Sequence, residues 1–419
     1  MQASTEDLKR NIKLLPPIQA SQFTNACLVY VNLMLSNRGY GIWAVICPAM
    51  PFLVSGILQI PSGYLADQIG RKKCLLAGLV LAATGYGLYM MTDMFRLAPY
   101  VAAPMIGLAW SSMEGADAAL ATDSCIALAA QSCGDTVTAD GVPPGLWVPR
   151  YQRYEGKTAR YIALGMGVGS TMGATCAAFF GIQAAFAVQI AFYLAGATMA
   201  LFLVEPEVQR ERLPMHAHFK EFRAILRGFR KNRPLVAVAG LRSSLGSSSI
   251  PISKVAMVFY ASTHLPAQVA GYWWAACLSS GWLIGKFKLV QSLSARKEAQ
   301  RVLTVVIGII GLAYVVIGRG PSVFGLAATT LLFVIMPVYK PILATKMSTM
   351  VRSAERAMIN SVQRTMQMIT VFALGVLLAL ASELLPLGSA SAIVGLLNVG
   401  VAGVCLIVMR RSESRSSQA

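Results

Sequence analysis

The sequence predicts an all-α polytopic membrane protein of twelve transmembrane helices in two six-helix bundles, with both termini cytoplasmic. Three observations carry this. Of 419 residues, 56% are hydrophobic and only 13% charged, where a soluble domain has about 25% charged residues. Apolar runs recur along the chain, each near the roughly 20 residues that a hydrocarbon core about 30 Å thick requires of a helix. The charges are unequal, 36 Lys and Arg against 18 Asp and Glu for a net +18, and the bases cluster in alternate connections, as cytoplasmic loops demand. A nucleic-acid binder would share the sign but would be rich in charge, which excludes that class. Twelve spans also leave no room for a large soluble catalytic domain.

In chain order the spans fall at about 20–37, 42–63, 74–92, 97–121, 158–180, 182–204, 234–262, 267–288, 301–318, 321–345, 358–383 and 387–409. The first is interrupted by Gln22, Asn25, Asn32 and Ser36, and the stretch before it is polar and charged, so no cleavable signal peptide is expected. Only Gly181 and its neighbours divide the fifth from the sixth. With both termini inside, 30 of the 36 bases lie in cytoplasmic segments. Arg38, Arg96 and Arg319 fall outside, and Arg242, Lys254 and Lys340 fall within spans. A wrong span count would scramble that alternation.

The long connection after the sixth span divides the chain into an amino-terminal bundle, 1–204, a connector, 205–233, and a carboxy-terminal bundle, 234–419. In the connector Phe219, Phe222, Leu226 and Phe229 share a helical face flanked by bases. That pattern suits a helix on an anionic inner leaflet, and equally a linker helix packed on the bundles. The Gly- and Pro-bearing insert from Gln131 to Arg150 reads as a mobile cytoplasmic loop. Eight cysteines stand singly and without a CxxC pair, which marks them as small packing residues, and no metal or cofactor is expected.

Between the second and third spans the chain reads Gly63-Tyr-Leu-Ala-Asp67-Gln-Ile-Gly70-Arg71-Lys72-Lys73. Two glycines that permit close backbone approach, an acid at the membrane edge and three bases that hold the loop inside form one unit. This loop resembles the signature of the major facilitator superfamily. The loop before the eleventh span, Ser353 to Ser361 with Glu355 and Arg356, is similar to a further stretch of that family, and Tyr154 to Arg160 with Glu155 is its first-half counterpart. The second-half copy of the signature, Gly281 to Lys297, is degenerate. The resemblance implies secondary transport by alternating access. It implies a gate of Gly63, Asp67, Gly70, Arg71, Asp123, Glu155 and Arg356, in which Asp67 latches onto the start of the eleventh span. The fifth span is glycine-rich from Gly165 to Gly173 but lacks the Gly-Pro pair of drug-proton antiporters, so its glycines are expected to serve close helix packing.

By the same resemblance the first, fourth, seventh and tenth spans line a central cavity. The first carries Gln22, Asn25, Asn32 and Ser36 as a polar stripe. The fourth carries Trp110, Glu114 and Asp117 at i, i+4 and i+7, one helical face. The seventh aligns Arg242, Gly246, Ser249 and Ser253, and the tenth has Tyr339 and Lys340 between two prolines. Arg242 falls near mid-membrane, whereas Lys254 and Lys340, about 19 or 20 residues from where their spans begin, have snorkelling to opposite surfaces as the competing reading. Ionisable residues at membrane depth are paired, hydrated or functional. The candidate solute-binding residues are therefore Asn25, Asn32, Trp110, Glu114, Asp117, Arg242, Ser249, Tyr339 and Lys340. Glu114 and Asp117 are candidates for carrying a coupling proton, with a structural ion pair to Arg160 or Arg364 as the competing reading. Tyr272, Trp273 and Trp274 read as interface anchors.

The expected function is secondary transport of a small organic solute, proton-coupled, in the inner (plasma) membrane, by a monomer. Bases in the second half set against carboxylates in the first favour an anionic or zwitterionic solute, such as a siderophore or peptide-like metabolite. Export of amphipathic drugs is the alternative. No phosphate loop is present, and no nucleophile, base and orienter set suggests an enzyme. A non-transporting sensor would carry an added signalling domain, for which 419 residues leave no room.

Overall fold

The computed structural model describes residues 4–133, 144–206, 215–248, 269, 272–277, 279–280, 299–320, 322–351 and 356–416, and these form helices and their connections, without a strand. The helices are α1 Thr5–Gln22, α2 Leu28–Asn37, α3 Trp43–Ile69, α4 Arg71–Met90, α5 Ala98–Met113, α6 Ala116–Cys133, α7 Pro144–Phe180 and α8 Ile182–Leu201. They continue with α9 Met215–Lys231, α10 Arg233–Ser247, α11 Ala299–Gly318, α12 Val323–Val334, α13 Met336–Thr349, α14 Arg356–Leu384 and α15 Leu387–Ser416.

Among the described residues seven helices are long and apolar enough to cross a membrane, or eight if the pieces Trp43–Gln59 and Pro61–Ile69 of α3 count as one bent span. The expected first and fourth spans are not among them because each is broken. The first runs as α1 and α2 around Phe23 to Cys27, the fourth as α5 and α6 around Glu114 and Gly115. Most of the expected seventh and eighth spans lies outside the described residues. The apolar faces of the spans are left open. On α7, Leu164, Val168, Met172, Phe179 and Phe180 are exposed, and on α15 so are Ile393, Leu397, Val401, Val404 and Ile407. Stripes of this kind are lipid-facing in a membrane protein and a liability in a soluble one.

Two expected boundaries move. The polar start of the chain is not a tail: α1 begins at Thr5, where Ser4 and Asp7 cap it reciprocally, the Ser4 hydroxyl accepting from the Asp7 N–H and the Asp7 carboxylate from the Ser4 N–H. Leu8, Leu15 and Ile18 are buried, as is Asn11, whose amide donates to Val204 O at 2.7 Å and accepts from Val204 N at 2.9 Å. The insert from Gln131 to Arg150 is in part helix, since α6 reaches Cys133 and α7 starts at Pro144. Residues 134–143 of it are outside the described set.

The chain divides into two compact units, Met1–Cys27 with Leu58–His218, and Leu28–Ile57 with Phe219–Ala419. In the first, α7 lies on α1 through a ladder of glycines. A Cβ built at Gly165, Gly169 or Gly173 would stand 2.6, 2.5 or 2.2 Å from the carbonyl oxygens of Ala20, Thr24 and Ala26 respectively. That is the close-packing role expected of those glycines, fitted to the stretch of α1 that runs into its break. In the second unit α10 is held by α14 and α15. Ser244 donates to the Asn398 side chain at 2.7 Å, and Gly246 abuts the Gln367 amide. Trp273 and Trp274 are packing residues rather than interface anchors: Trp274 is buried edge-on against Phe333, and the Trp273 indole donates to Thr330 at 3.0 Å. Tyr272 is exposed. In α9, Phe229 is buried and Lys220, Arg223, Arg227 and Arg230 are exposed.

Candidate functional site

Breaking a helix inside a membrane strands backbone donors and acceptors that must find partners in the protein. In the first span the break is filled from α8. The Gln189 amide accepts from Ala26 N and donates to Thr24 Oγ1, each at 2.8 Å, and Tyr193 donates to Gln22 O at 3.2 Å. Asn25 takes the left-handed conformation, φ 53°, which short polar side chains tolerate best. The polar stripe expected along this span is therefore not one continuous face. Gln22 ends α1, Asn25 sits in the break, and Asn32 is buried on α2 in the other compact unit.

The fourth span is corrected in the same way. Its helix stops at Met113 and restarts at Ala116 through Gly115, whose φ of +98° suits glycine. Trp110, Glu114 and Asp117 consequently do not form an i, i+4, i+7 stripe. Trp110 donates to Tyr193 Oη at 3.4 Å. Glu114 caps the end of α5, and Asp117 is buried in the first turn of α6, where its carboxylate accepts from Ala118 N at 2.6 Å and from the Gln19 side chain. The positive end of the α6 dipole offsets part of the cost of that buried acid. Glu114 is near enough for its charge to act on Asp117, so the break brings two carboxylates together.

The loop from Gly63 to Lys73, expected to be a gate, is a compact cluster of ion pairs and hydrogen bonds. Arg71 is buried and pairs with Asp123, also buried, and with half-exposed Asp67 at 3.0 Å. Gly70 caps α4 with φ +105°. The Glu205 carboxylate accepts from Arg71 N at 2.6 Å and Lys72 N at 3.3 Å, while Lys72 Nζ donates to Leu201 O at 2.7 Å. The close approach expected at Gly63 is absent: a Cβ there would meet nothing within 4 Å. Glu155 is exposed on α7, and Arg356 opens α14.

In the second unit Arg242 is half-buried on α10, its guanidinium 3.9 Å from Met347 Sδ of α13. Tyr339 is buried and donates to Leu245 O at 2.8 Å. Lys340, the next residue, is accessible, yet the charges of both Arg242 and Arg364 act on it, and that of Arg364 acts on Arg242. Ser249, with Ser253 and Lys254, lies outside the described residues.

Sequence reasoning missed Arg364, counted with the loop bases although it stands eight residues inside α14. It also missed Gln189, Tyr193 and Asn11. A signal for these existed, since a Gln or Asn amid an apolar run needs a buried partner, but nothing in the sequence names which one.

No family model matches the chain, and no curated protein matches it. Solved structures do. The chain is similar to a mutant form of the nucleoside transporter NupG at 14% identity and TM-score 0.69, over 96% of this chain and 99% of that one. It is similar to an auto-inhibited POT family peptide transporter at 12% identity and TM-score 0.70, over 96% and 97%. The chain has the major facilitator fold. Low identity with near-complete coverage means that the fold is shared while the polar side chains that would select a solute are this chain's own.

Proposed function

We propose that this chain is a secondary active transporter, not an enzyme, that moves a small anionic or zwitterionic organic solute by alternating access. The reading takes twelve spans in two six-helix bundles, both termini cytoplasmic, a single copy working in the inner (plasma) membrane, and proton drive. The observation that carries it is a charge asymmetry. Arg242 stands nine residues inside the start of α10, about 13 Å deep at 1.5 Å per residue, and Lys340 lies within the apolar span Val323–Ala344. From Arg233 to Arg410 the only acids are Glu298, Glu355 and Glu383, which lie at or beyond the ends of spans. Intramembrane cations without carboxylates at their own depth call for a ligand that supplies the negative charge. Glu114 and Asp117 of the first unit are the candidates for proton coupling. Similarity to a nucleoside transporter and a peptide transporter supports a small polar solute, and a peptide-like zwitterion or a siderophore suits the charges.

Proteoliposome flux tests this. Labelled anionic and zwitterionic solutes are expected to accumulate under an imposed pH gradient, and Asp117→Asn to abolish the dependence on the gradient. Asp67→Asn is expected to impair transport while leaving membrane insertion intact. Movement confined to neutral or cationic amphipathic compounds would establish the drug-exporter alternative instead. Accumulation that ignores the gradient would count against proton drive.

A further inference from the structure

The two cations that carry the transport reading, Arg242 and Lys340, stand on helices that pack together, and the charge of Arg364 on a third helix acts on both. Contacts between the helices bring α10, α13 and α14 together. α10 is bound to α14 on one side, where Ser243 meets Gln363 at 3.4 Å and Gly246 abuts Gln367. It is bound to α13 on another, through Tyr339 to Leu245 O and Arg242 to Met347. Arg242 and Arg364 are chain neighbours of the Ser243 and Gln363 pair, and Lys340 of the Tyr339 that grips α10. Arg242 stands nine residues from the start of α10, Lys340 four from the start of α13 and Arg364 eight from the start of α14, so all three lie inside their helices.

Like charges inside neighbouring helices repel, and the repulsion is strong where water is scarce. Apart from Glu383 at the far end of α14, the chain places no acid in α10, α12, α13 or α14. Among the described residues neither Arg242 nor Lys340 forms an ion pair. Arg242 has instead a thioether, a weak acceptor that cannot compensate a guanidinium. A single negative charge satisfies one of these two cations and leaves the other exposed to the field of its neighbour. Two negative charges on adjoining atoms satisfy both.

We propose that Arg242 and Lys340, backed by Arg364, form a site for a solute that carries a dianionic group, a dicarboxylate or a phosphate monoester. The planar guanidinium offers the fork that a carboxylate or phosphate accepts in bidentate fashion, and the ammonium offers a compact point charge on a stem long enough to follow the ligand. The inference rests on the transporter reading of the same site but goes further, because a zwitterion or monoanion would satisfy that reading and not this one.

The test uses the full-length protein purified in detergent and probes matched in size but not in charge. Binding of succinate is compared with succinamate, and of methyl phosphate with methanesulfonate, by calorimetry. The wild type is expected to prefer the dianion of at least one pair by about tenfold or more, and the pair that shows the preference separates a dicarboxylate from a phosphate site. Lys340→Gln is expected to bring that ratio near one and to weaken dianion binding by about thirtyfold. Lys340→Arg should keep the preference, and Lys220→Gln on the exposed face of α9 should leave it unchanged. Monodisperse elution of each variant guards against misfolding. Equal binding of dianion and monoanion, or a preference that survives Lys340→Gln, overturns the proposal. The same probes in proteoliposomes separate the two levels: flux of zwitterions without dianion preference refutes the dianion site and leaves the transporter, whereas dianion binding without flux of any solute refutes the transporter and leaves the site.

Discussion

The glycine ladder between α7 and α1 makes a prediction that one helix can test against itself. Ordinary van der Waals contact begins near 3.4 Å, and a methyl at Gly169 would stand 2.5 Å from both Thr24 O and Thr24 Cβ. These are backbone and branch-point atoms that cannot swing aside, so Gly169→Ala forces the helices apart by about 1 Å, an overpacking that costs about 1–3 kcal/mol. Against this, alanine in place of glycine in a helix gains about 1 kcal/mol. The net expectation is a loss of about 0–2 kcal/mol. Gly156 lies on the same helix with nothing within 4 Å of its would-be Cβ, so Gly156→Ala should show the gain alone, about 1 kcal/mol. Thermal unfolding in detergent reads the difference. With Tm moving about 2–4 °C per kcal/mol for units of 150–250 residues, the two alanine variants should shift in opposite directions or differ by several degrees. Gly173→Ala, whose methyl would come within 2.2 Å of Ala26 O, should be the worst of the three ladder positions. If Gly169→Ala raises Tm as much as Gly156→Ala, the close approach of α7 to α1 is wrong.

Further expectations come from single contacts. Asp123→Asn leaves the buried Arg71 guanidinium without its buried partner and should cost about 3–5 kcal/mol, while the double variant with Arg71→Met should recover much of that loss; additive losses in a thermal double-mutant cycle would refute the pairing. Gln189→Leu strands Ala26 N–H and Thr24 Oγ1 in the break of the first span, and a loss of about 1–3 kcal/mol is expected in the same melting assay. At the start of α1, hydrogen bonds from Ser4, with Arg10 beside it, hold the Asp7 carboxyl below its ordinary value of 3.8. A depressed folded value means that the cap is intact above that ordinary value and is lost as pH falls through the lowered one. Amide-exchange protection in the first turn of α1, corrected for intrinsic rates, should drop over that acid window in the wild type and show no such step in Asp7→Asn.

Much of the fold was legible because its physics is one-dimensional. Apolar length marks a span wherever the helix is unbroken, and bases sort themselves by side of the membrane. The signature loop was legible as a polar cluster since Asp67, Gly70 and Arg71 are sequence neighbours, but its deeper partners needed coordinates: Asp123 is 52 positions from Arg71, and Glu205 is 134 from it. The breaks at Asn25 and Gly115 were not legible. Neither carries a proline, and hydropathy windows average across them, so the i, i+4, i+7 logic was applied to a helix that stops. Arg364 was missed for a related reason, because α14 begins before its apolar run does.

Glu205 gives the Arg71 cluster a property that its ion pairs alone would not. Its carboxylate grips the main chain of Arg71 and Lys72 rather than their side chains, so the place where span six runs into the connector is tied to the first turn of α4. The Arg71 guanidinium pairs with Asp67 and Asp123 while its main-chain N–H is held by Glu205. The path of the loop and its charge pairing are thus set by different atoms of one residue, so removing either acid leaves the backbone tie in place.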